Sequence, residues 1–195
     1  MTTEACDLTP EEQLRLFRLS LETSRDFRAK VAKPTLEIAQ RSMAYTSYED
    51  LCLRLGNVTL GSPLPASIEP LPERECYNNA LDLAQSYPEE FTYTEGFAAA
   101  QGTPSLTMPH AWVTDWQGRV VDPTWAHFPG SSVYCGVRFS LNFVHKFIAR
   151  QLRETKQTTP GILVNDWALS HTALIHGLIT STGGIVIDWG ERKTT

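Results

Sequence analysis

The chain lacks the segments that would direct a protein across a membrane or onto its surface. Residues 1–7 contain neither the basic region nor the apolar region of a secretory signal peptide. No apolar run is long enough to span a bilayer, and no basic run or basic amphipathic stretch favours a membrane surface. We therefore expect a cytoplasmic protein that makes no membrane contacts.

Positive charge and cysteine are both scarce. The 17 Lys and Arg residues are outnumbered by 22 Asp and Glu residues, and the net charge of −5 argues against a nucleic-acid-binding surface. The four cysteines are far apart and form no Cys-x-x-Cys pair: Cys6, Cys52, Cys76 and Cys135. In a chain of this size without a secretory signal, we expect the thiols to stay reduced.

Motifs that would indicate a metal or a cofactor are missing as well. His171 and His176 are five residues apart, so they do not share a helical face as ligands at i and i+4 would. His127 and Cys135 have no zinc-type spacing, and no acidic loop has calcium-ligand spacing. There is no Gly-x-Ser-x-Gly, P-loop or dinucleotide fingerprint. We expect neither a metal nor an organic cofactor.

What the chain does contain is enough apolar sequence for a core, 42% of 195 residues. Predicted strands and helices are segregated more than alternated, which favours an α+β fold with an antiparallel sheet. We expect an N-terminal helical extension over 1–56, a proline-rich connection over 57–73 and a core with C-terminal helices over 74–195. The connection is either an extended arm on the core or a hinge, and the whole is expected to form one compact unit.

Local signals define the expected elements. Thr9-Pro10-Glu11-Glu12 is a capping box with proline at the first helical position. An apolar stripe follows it on the first helix: Leu14, Phe17, Leu21 and Phe27. Helices are expected over about 10–32, 48–55, 76–86 and 140–155, and the apolar stretch 163–180 also looks helical. Strands are expected near 91–98, 106–116, 119–125, 133–139 and 184–189.

The stretch 110–125 is the most informative part of the sequence, because it has the pattern of a hairpin. With a two-residue loop, Gln117-Gly118, the side chains of His110 and Asp122 would point to opposite faces. A three-residue loop, 116–118, places them on one face as diagonal neighbours. That loop favours glycine in the left-handed region at its last position, which is Gly118. The sequence therefore predicts that His110 and Asp122 share a face.

The hairpin pattern also indicates what the opposite face of the hairpin contacts. Its second face is apolar and is expected to pack on the core: Ala111, Val113 and Val121.

Upstream, Cys76 begins a predicted helix, where a thiolate is favoured by the helix N-terminus and by a neighbouring imidazolium. A thiol, a histidine and an orienting carboxylate are the components of a cysteine nucleophile site.

These residues resemble those of a known family. Cys76, Gly96, the signature His110-Ala111-Trp112 and the signature Asp122-Pro123-Thr124 are similar to the core of the transglutaminase-like branch of papain-fold cysteine enzymes. The resemblance covers about residues 74–138. It implies an antiparallel sheet packed on a nucleophile-bearing helix, with Cys76 as nucleophile, His110 as general base and Asp122 as its orienting partner. Many members have glycine where this chain has Glu75.

The expected reaction is acyl transfer from an amide of a peptide, a protein or a small molecule. Water as acceptor would make the chain a protease or amidase, whereas an amine would make it a transglutaminase or ligase. The backbone N–H of Cys76 is one expected oxyanion donor. Trp112 is a candidate substrate-binding residue, because the strand parity places it on the face of His110. The sequence leaves the acyl donor, the second oxyanion donor and the oligomeric state open.

Each residue also has a simpler explanation. A cysteine at a helix start is commonly a small buried apolar residue, and an aspartate before proline commonly forms a turn. The alternative function is a non-catalytic binding or interaction protein on a transglutaminase-like fold, with the helical extension and the proline-rich arm as its contact surface. Reactivity of the Cys76 thiol at mildly acidic pH distinguishes the two functions.

Overall fold

The computed structural model describes residues 8–31, 45, 47–126, 132–164 and 178–179. The helices within these ranges are α1 (Pro10–Val31), α2 (Tyr48–Leu55), α3 (Cys76–Ser86) and α4 (Leu141–Thr155). The strands are β1 (Val58–Leu60), β2 (Phe91–Ala99), β3 (Met108–Asp115), β4 (Val120–Val121), β5 (Val133–Phe139) and β6 (Leu178–Ile179). The predicted α+β class with an antiparallel sheet is confirmed.

Local capping explains where the helices begin. The Thr9 backbone N–H donates to Glu12 Oε2 at 2.8 Å, and the Glu12 N–H donates to Thr9 Oγ1 at 3.3 Å, so the predicted capping box is present. Ser140 caps α4 by accepting from the Phe143 N–H. On α1 the predicted apolar stripe is correct for the buried Phe17 and Leu21 but wrong for Phe27, which is 66% exposed.

The sheet has the strand order β1-β5-β2-β3-β4, and β6 pairs with the second half of β5. Each of these pairs is antiparallel. In the central register Gly96 lies between His110 on β3 and Gly136 on β5. Because side chains alternate along a strand, this register assigns His110 and Gly136 to one face of the sheet.

The two faces of the sheet are buried by different partners. The face that we call the outer face packs against the helices, and Ala111, Val113 and Val121 lie in that core, as the hairpin pattern predicted. The opposite face, which we call the inner face, holds His110 and a smaller apolar cluster: Ala98, Trp112, Val120 and Tyr134, with Trp125 packed against it.

Two glycines make the inner face possible. A Cβ on Gly96 would overlap the backbone of Cys135 and Gly136. A Cβ on Gly136 would lie 2.5 Å from Cη2 of the Trp112 ring, which crosses β5 at this point. Glycine at both positions therefore lets the strands and the indole approach closely.

The sheet curls until its two edges touch. Beyond the end of β1, Gly61 forms a parallel bridge with Val120 on β4. The Ser62 N–H also donates to the Val120 carbonyl at 3.1 Å. Strands β1 to β5 therefore surround a small interior lined by the inner face.

The helices of the predicted extension contribute to the main core. Phe17 and Leu21 of α1 and Leu51 of α2 are fully buried and belong to the same cluster as Ala80 of α3. β1 lies within 57–73 and pairs with β5. The division at 56 and 73 stays a prediction.

Some predicted elements differ from the structure. The strand expected over 119–125 is only Val120–Val121. It ends there because Pro123 has no N–H to donate to a neighbouring strand, and because the Thr124 N–H donates to the Asp122 side chain instead. The helix expected over 163–180 is wrong at its end, where Leu178–Ile179 pairs with β5 as a strand. The remainder of that helix and the strand expected over 184–189 lie outside the described residues. Within the described ranges, no helix is both long and apolar enough to cross a membrane.

Candidate active site

The turn between β3 and β4 sets the geometry of the site. Val113 pairs with Val121, and the Asp115 N–H donates to the Arg119 carbonyl at 3.0 Å, which leaves a three-residue loop over 116–118. Gly118 has φ +82°, the left-handed conformation that the loop was predicted to need. The predicted parity is therefore confirmed, and His110 and Asp122 point to the same face.

His110 and Asp122 form a buried pair. The His110 Nε2 lies 2.7 Å from Asp122 Oδ2, and both side chains are at most 5% exposed. The carboxylate can only accept, so Nε2 is the protonated nitrogen and Nδ1 remains for another partner. The indole of Trp125 stacks on the imidazole, with 4.4 Å between ring centroids, and covers one side of the pair.

The Asp122 carboxylate accepts four hydrogen bonds. Oδ2 accepts from His110 and from the Tyr134 hydroxyl at 2.9 Å. Oδ1 accepts from the backbone N–H groups of Thr124 and Trp125 at 2.9 and 3.2 Å. The carboxylate is thereby fixed in position and compensated for its burial.

Cys76 is the first residue of α3 and is partly exposed, unlike the buried Cys52 and Cys135. Its side chain lies close enough to His110 to raise the pKa of the imidazole. Since Nε2 faces Asp122, Nδ1 is the ring nitrogen left for the thiol. The structure thus brings together the three side chains that the sequence singled out: Cys76, His110 and Asp122.

The imidazole is held in its charged form. Burial opposes the charge, but the hydrogen bonds to Asp122 and Cys76 and the negative charge of both partners outweigh it and raise the pKa of His110 to about 9. An imidazolium at neutral pH stabilises a thiolate beside it. The same imidazolium carries a proton that it can give to a leaving group.

The nucleophile helix is attached to the loop that carries Asp122. The side-chain amide of Asn79 on α3 donates to Thr124 Oγ1 at 3.0 Å and to the Pro72 carbonyl at 2.7 Å. The Leu71 N–H donates to the Pro123 carbonyl at 2.9 Å. These bonds fix the start of α3 against residues 123–124 and so limit the movement of Cys76 relative to the pair.

No protein-family model matches the sequence, and neither a curated protein nor a solved structure matches it. The resemblance to transglutaminase-like enzymes therefore rests on the residues named above and stays a prediction. The chemistry of the site has to be argued from its own geometry.

Trp112, the predicted substrate-binding residue, is 2% exposed. Its ring centroid is 6.3 Å from that of His110 and 5.1 Å from that of Tyr134. Its Nε1 is buried and has no hydrogen-bond partner within the described part of the chain. A role in substrate binding stays a prediction for this residue.

The sequence analysis missed three residues of the site. Tyr134 and Asn79 are far from Asp122 in the chain, and nothing in their own segments signals a polar partner. Trp125 lies three residues after Asp122, a position that could have indicated a cover for the imidazole. Glu75 precedes the helix as its N-cap, is exposed and makes no side-chain capping bond. Among the described residues, no group of three or more His, Cys, Asp or Glu side chains could hold a metal ion.

Proposed function

We propose that the protein is a cysteine-dependent acyl-transfer enzyme that acts on an amide or peptide through Cys76, His110 and Asp122. The observation that carries the proposal is the buried His110–Asp122 pair, 2.7 Å between Nε2 and Oδ2, with the Cys76 side chain close enough to raise the pKa of the same imidazole. A partly exposed thiol on a helix N-terminus beside an imidazolium has the properties of an activated nucleophile.

The chemistry follows from the positions of the protons. The Cys76 thiolate attacks the amide carbonyl and forms a tetrahedral oxyanion, to which the Cys76 backbone N–H is one donor. His110 gives its proton to the leaving amine as the carbon–nitrogen bond breaks, and a thioester remains on Cys76. Asp122 retains its charge throughout and fixes the tautomer and orientation of the imidazole.

The second half of the reaction depends on the acceptor. Neutral His110 removes a proton from water or from an amine, and the acceptor attacks the thioester and restores the thiol. Water gives a protease or amidase, and an amine gives a transglutaminase or ligase. The antiparallel sheet against the helix that begins at Cys76 supports a papain- or transglutaminase-like core as the scaffold for this chemistry.

Thiol alkylation tests the proposal without a known substrate. The protein is reacted with iodoacetamide between pH 5 and pH 9, in a Cys6→Ser background because Cys6 lies outside the described residues. An ordinary thiol is only roughly 0.3% thiolate at pH 6. If the imidazolium stabilises the thiolate, Cys76 of the unchanged chain should be alkylated at least about tenfold faster at pH 6 than Cys76 of the His110→Ala variant.

The other thiols provide internal controls. Burial raises the pKa of Cys135 to about 12 and that of Cys52 well above its ordinary value, so neither should react in the folded protein. Cys76→Ala should keep its fold and lose the labelled site. If the unchanged chain and His110→Ala alkylate equally across the pH range, the proposal is wrong and a non-catalytic binding protein becomes the better interpretation.

A library of electrophilic peptides then identifies the acyl donor. Adducts on Cys76 that are absent from Cys76→Ala report which side chains the site accepts. Repeating the reaction with a primary amine and an unmodified form of the preferred peptide separates hydrolysis from transfer, because only transfer incorporates the amine into the product.

A further inference from the structure

One oxygen of the Asp122 carboxylate is shared by two side-chain donors. Oδ2 lies 2.7 Å from His110 Nε2 and also accepts from the Tyr134 hydroxyl at 2.9 Å. His110 and Tyr134 are each 3% exposed, so both bonds lie away from bulk solvent. A hydrogen bond to a carboxylate stabilises its charge and makes it a weaker base. The bond from Tyr134 therefore reduces how strongly Oδ2 attracts the proton on His110.

The ring of Tyr134 is held by packing. Its centroid lies 5.1 Å from that of Trp112, at 62° between the planes, and 6.2 Å from that of Trp125. Small residues on both sides leave room for the ring: Tyr134 lies opposite Ala98 on β2, and a Cβ on Gly61 would lie 2.8 Å from the tyrosine ring. Because these contacts involve the ring and not the hydroxyl, we expect the ring to stay in place when the hydroxyl alone is removed.

The charge of His110 is set by groups from several elements. Within the described ranges, Cys76 at the start of α3 and Asp122 after β4 both favour the imidazolium and raise the pKa of His110 to about 9. Tyr134 on β5 acts on the imidazole through Asp122. Burial and the charge of Asp122 raise the pKa of Tyr134, so its hydroxyl keeps its proton and remains a donor.

We propose that Tyr134 is a positioning residue that competes with His110 for Oδ2 of Asp122 and so weakens the hold of the carboxylate on the imidazolium proton. Its benefit for catalysis rests on the proposed function, in which His110 gives a proton to the leaving amine and later takes one from the acceptor. A histidine does both best when its pKa is close to the working pH. The competition for Oδ2 itself does not require Cys76.

A purely structural role for the hydroxyl would have the opposite effect on His110. If Tyr134 only fixed the carboxylate, its loss would let Asp122 move away from the imidazole, and the pKa of His110 would fall or stay the same. If Tyr134 competes for Oδ2, its loss leaves His110 as the one side-chain donor to that oxygen, and the pKa of His110 rises. The sign of the change therefore distinguishes the two roles.

NMR of the full chain labelled with ¹⁵N-histidine measures the pKa of His110 directly. The titration is carried out in Cys76→Ala, so the result does not depend on whether the Cys76 thiol is activated. The resonances of His110 are those that disappear when His110→Gln is added. In this background Tyr134→Phe should raise the pKa of His110 by at least about 0.5, because a bond to a charged group contributes on this order.

Tyr93→Phe is the matched control. The Tyr93 hydroxyl donates to Glu95 Oε1 at 2.6 Å. Like Asp122, Glu95 is buried and accepts four hydrogen bonds, three of them from backbone N–H groups. Each variant thus removes one tyrosine hydroxyl from a buried carboxylate. Both should unfold at lower denaturant, but only Tyr134→Phe should change the pKa of His110.

A second replacement changes the same bond in the other direction. Site-specific exchange of Tyr134 for 3-fluorotyrosine makes the hydroxyl more acidic, and hence a stronger donor, with little change in size. Oδ2 should then hold the proton of His110 less tightly, and the pKa of His110 should fall.

The results decide between the roles. An unchanged or lowered pKa of His110 in folded Tyr134→Phe overturns the proposal and leaves Tyr134 as a packing residue. Should Tyr134→Phe fail to fold, the fluorinated chain decides, and an unchanged or raised pKa in that protein overturns the proposal. Alkylation of Cys76 in the otherwise unchanged chain tests the proposed function separately, so either idea can fail while the other stands.

Discussion

At the scale of single residues, Asp122 is the centre of the candidate site. It accepts from a histidine, a tyrosine and two backbone N–H groups, and each of its oxygens accepts two of these bonds. An aspartate that only formed the turn would need the backbone bonds alone. The bonds of Oδ2 to His110 and Tyr134 therefore point to a role beyond the turn.

Asp122→Asn should separate that role from the structural one. The amide has one acceptor oxygen and presents an NH₂ group to donors, so the free energy of unfolding should fall by about 1–3 kcal/mol. The charge opposite the imidazolium is also lost, and iodoacetamide labelling of Cys76 at pH 6 should slow. The measurements are denaturant unfolding and the alkylation rate.

Asp115→Asn is the matched control. Asp115 is as buried as Asp122, lies in the same hairpin and accepts from the Gln117 and Arg119 N–H groups and from Arg119 Nε. This variant should lose comparable stability and keep the alkylation rate of the unchanged chain. A slowing of similar size in both variants would show that Asp122 acts only through the fold of the hairpin.

At the scale of elements, the β3–β4 turn determines which side chains of the two strands share a face of the sheet. Gly118 has φ +82° and nothing within 4 Å of a Cβ placed on it, so the constraint at this position is the backbone conformation and not space. The turn type determines the register, and the register determines whether His110 and Asp122 share a face.

Gly118→Val should therefore damage the site from a distance. A β-branched residue in the left-handed region costs about 1–3 kcal/mol. A change of loop length would relieve that strain, but it would also shift the register and move the Asp122 side chain to the opposite face of the sheet. Gly102→Val is the control, since Gly102 has φ +80°, is equally open and lies between β2 and β3. Both variants should unfold at lower denaturant, but only Gly118→Val should slow alkylation of Cys76 at pH 6.

The elements that the sequence predicted correctly are determined by residues close to them in the chain. The cap at Thr9, the proline at position 10 and the glycine at position 118 each act within four residues of the feature they determine. β1 was missed because its three residues lie in a proline-rich segment and become a strand only by pairing with β5. The apolar stretch 163–180 has little periodicity, and the strand at its end depends on an available edge of β5.

At the scale of the whole molecule, the charged state of His110 links the site to stability. Its pKa is about 9 in the folded chain against an ordinary value of 6.5. A raised pKa means that the folded state binds the proton more tightly than the unfolded state. The stabilisation is fully present below about pH 6.5 and is lost as the pH rises through 9, with a magnitude of about 3 kcal/mol.

Urea unfolding at pH 6 and at pH 9.5 measures this link. The decline in unfolding free energy between the two values should be smaller by about 3 kcal/mol in His110→Gln than in the unchanged chain. His145→Gln, at an exposed position on α4, is the control for replacing a histidine by glutamine. An equal decline in all three proteins would mean that His110 is not charged at neutral pH in the folded state.

The shape of the sheet is the part that the sequence could not predict. Strand alternation assigns His110 and Asp122 to one face, but it contains no information on what covers that face. Tyr134 reaches Asp122, and Gly61 reaches Val120, only because the sheet curls around a small interior. Contacts of this kind join separate segments of the chain. A sequence pattern is read within one short segment, so it contains no information about such contacts.

The position of β5 between β1 and β2 determines when the sheet can form during synthesis. β1, β2 and β6 all attach to β5, which follows β1 in the chain by three intervening strands. On a ribosome, β1 and the hairpins of β2 to β4 would emerge while the position between β1 and β2 is still empty. A nascent chain that stops before Val133 would therefore present the long, apolar β2 with an unpaired edge, the kind of edge that recruits another chain. A chaperone that holds unfinished chains would be most needed in the interval between translation of residue 99 and residue 139.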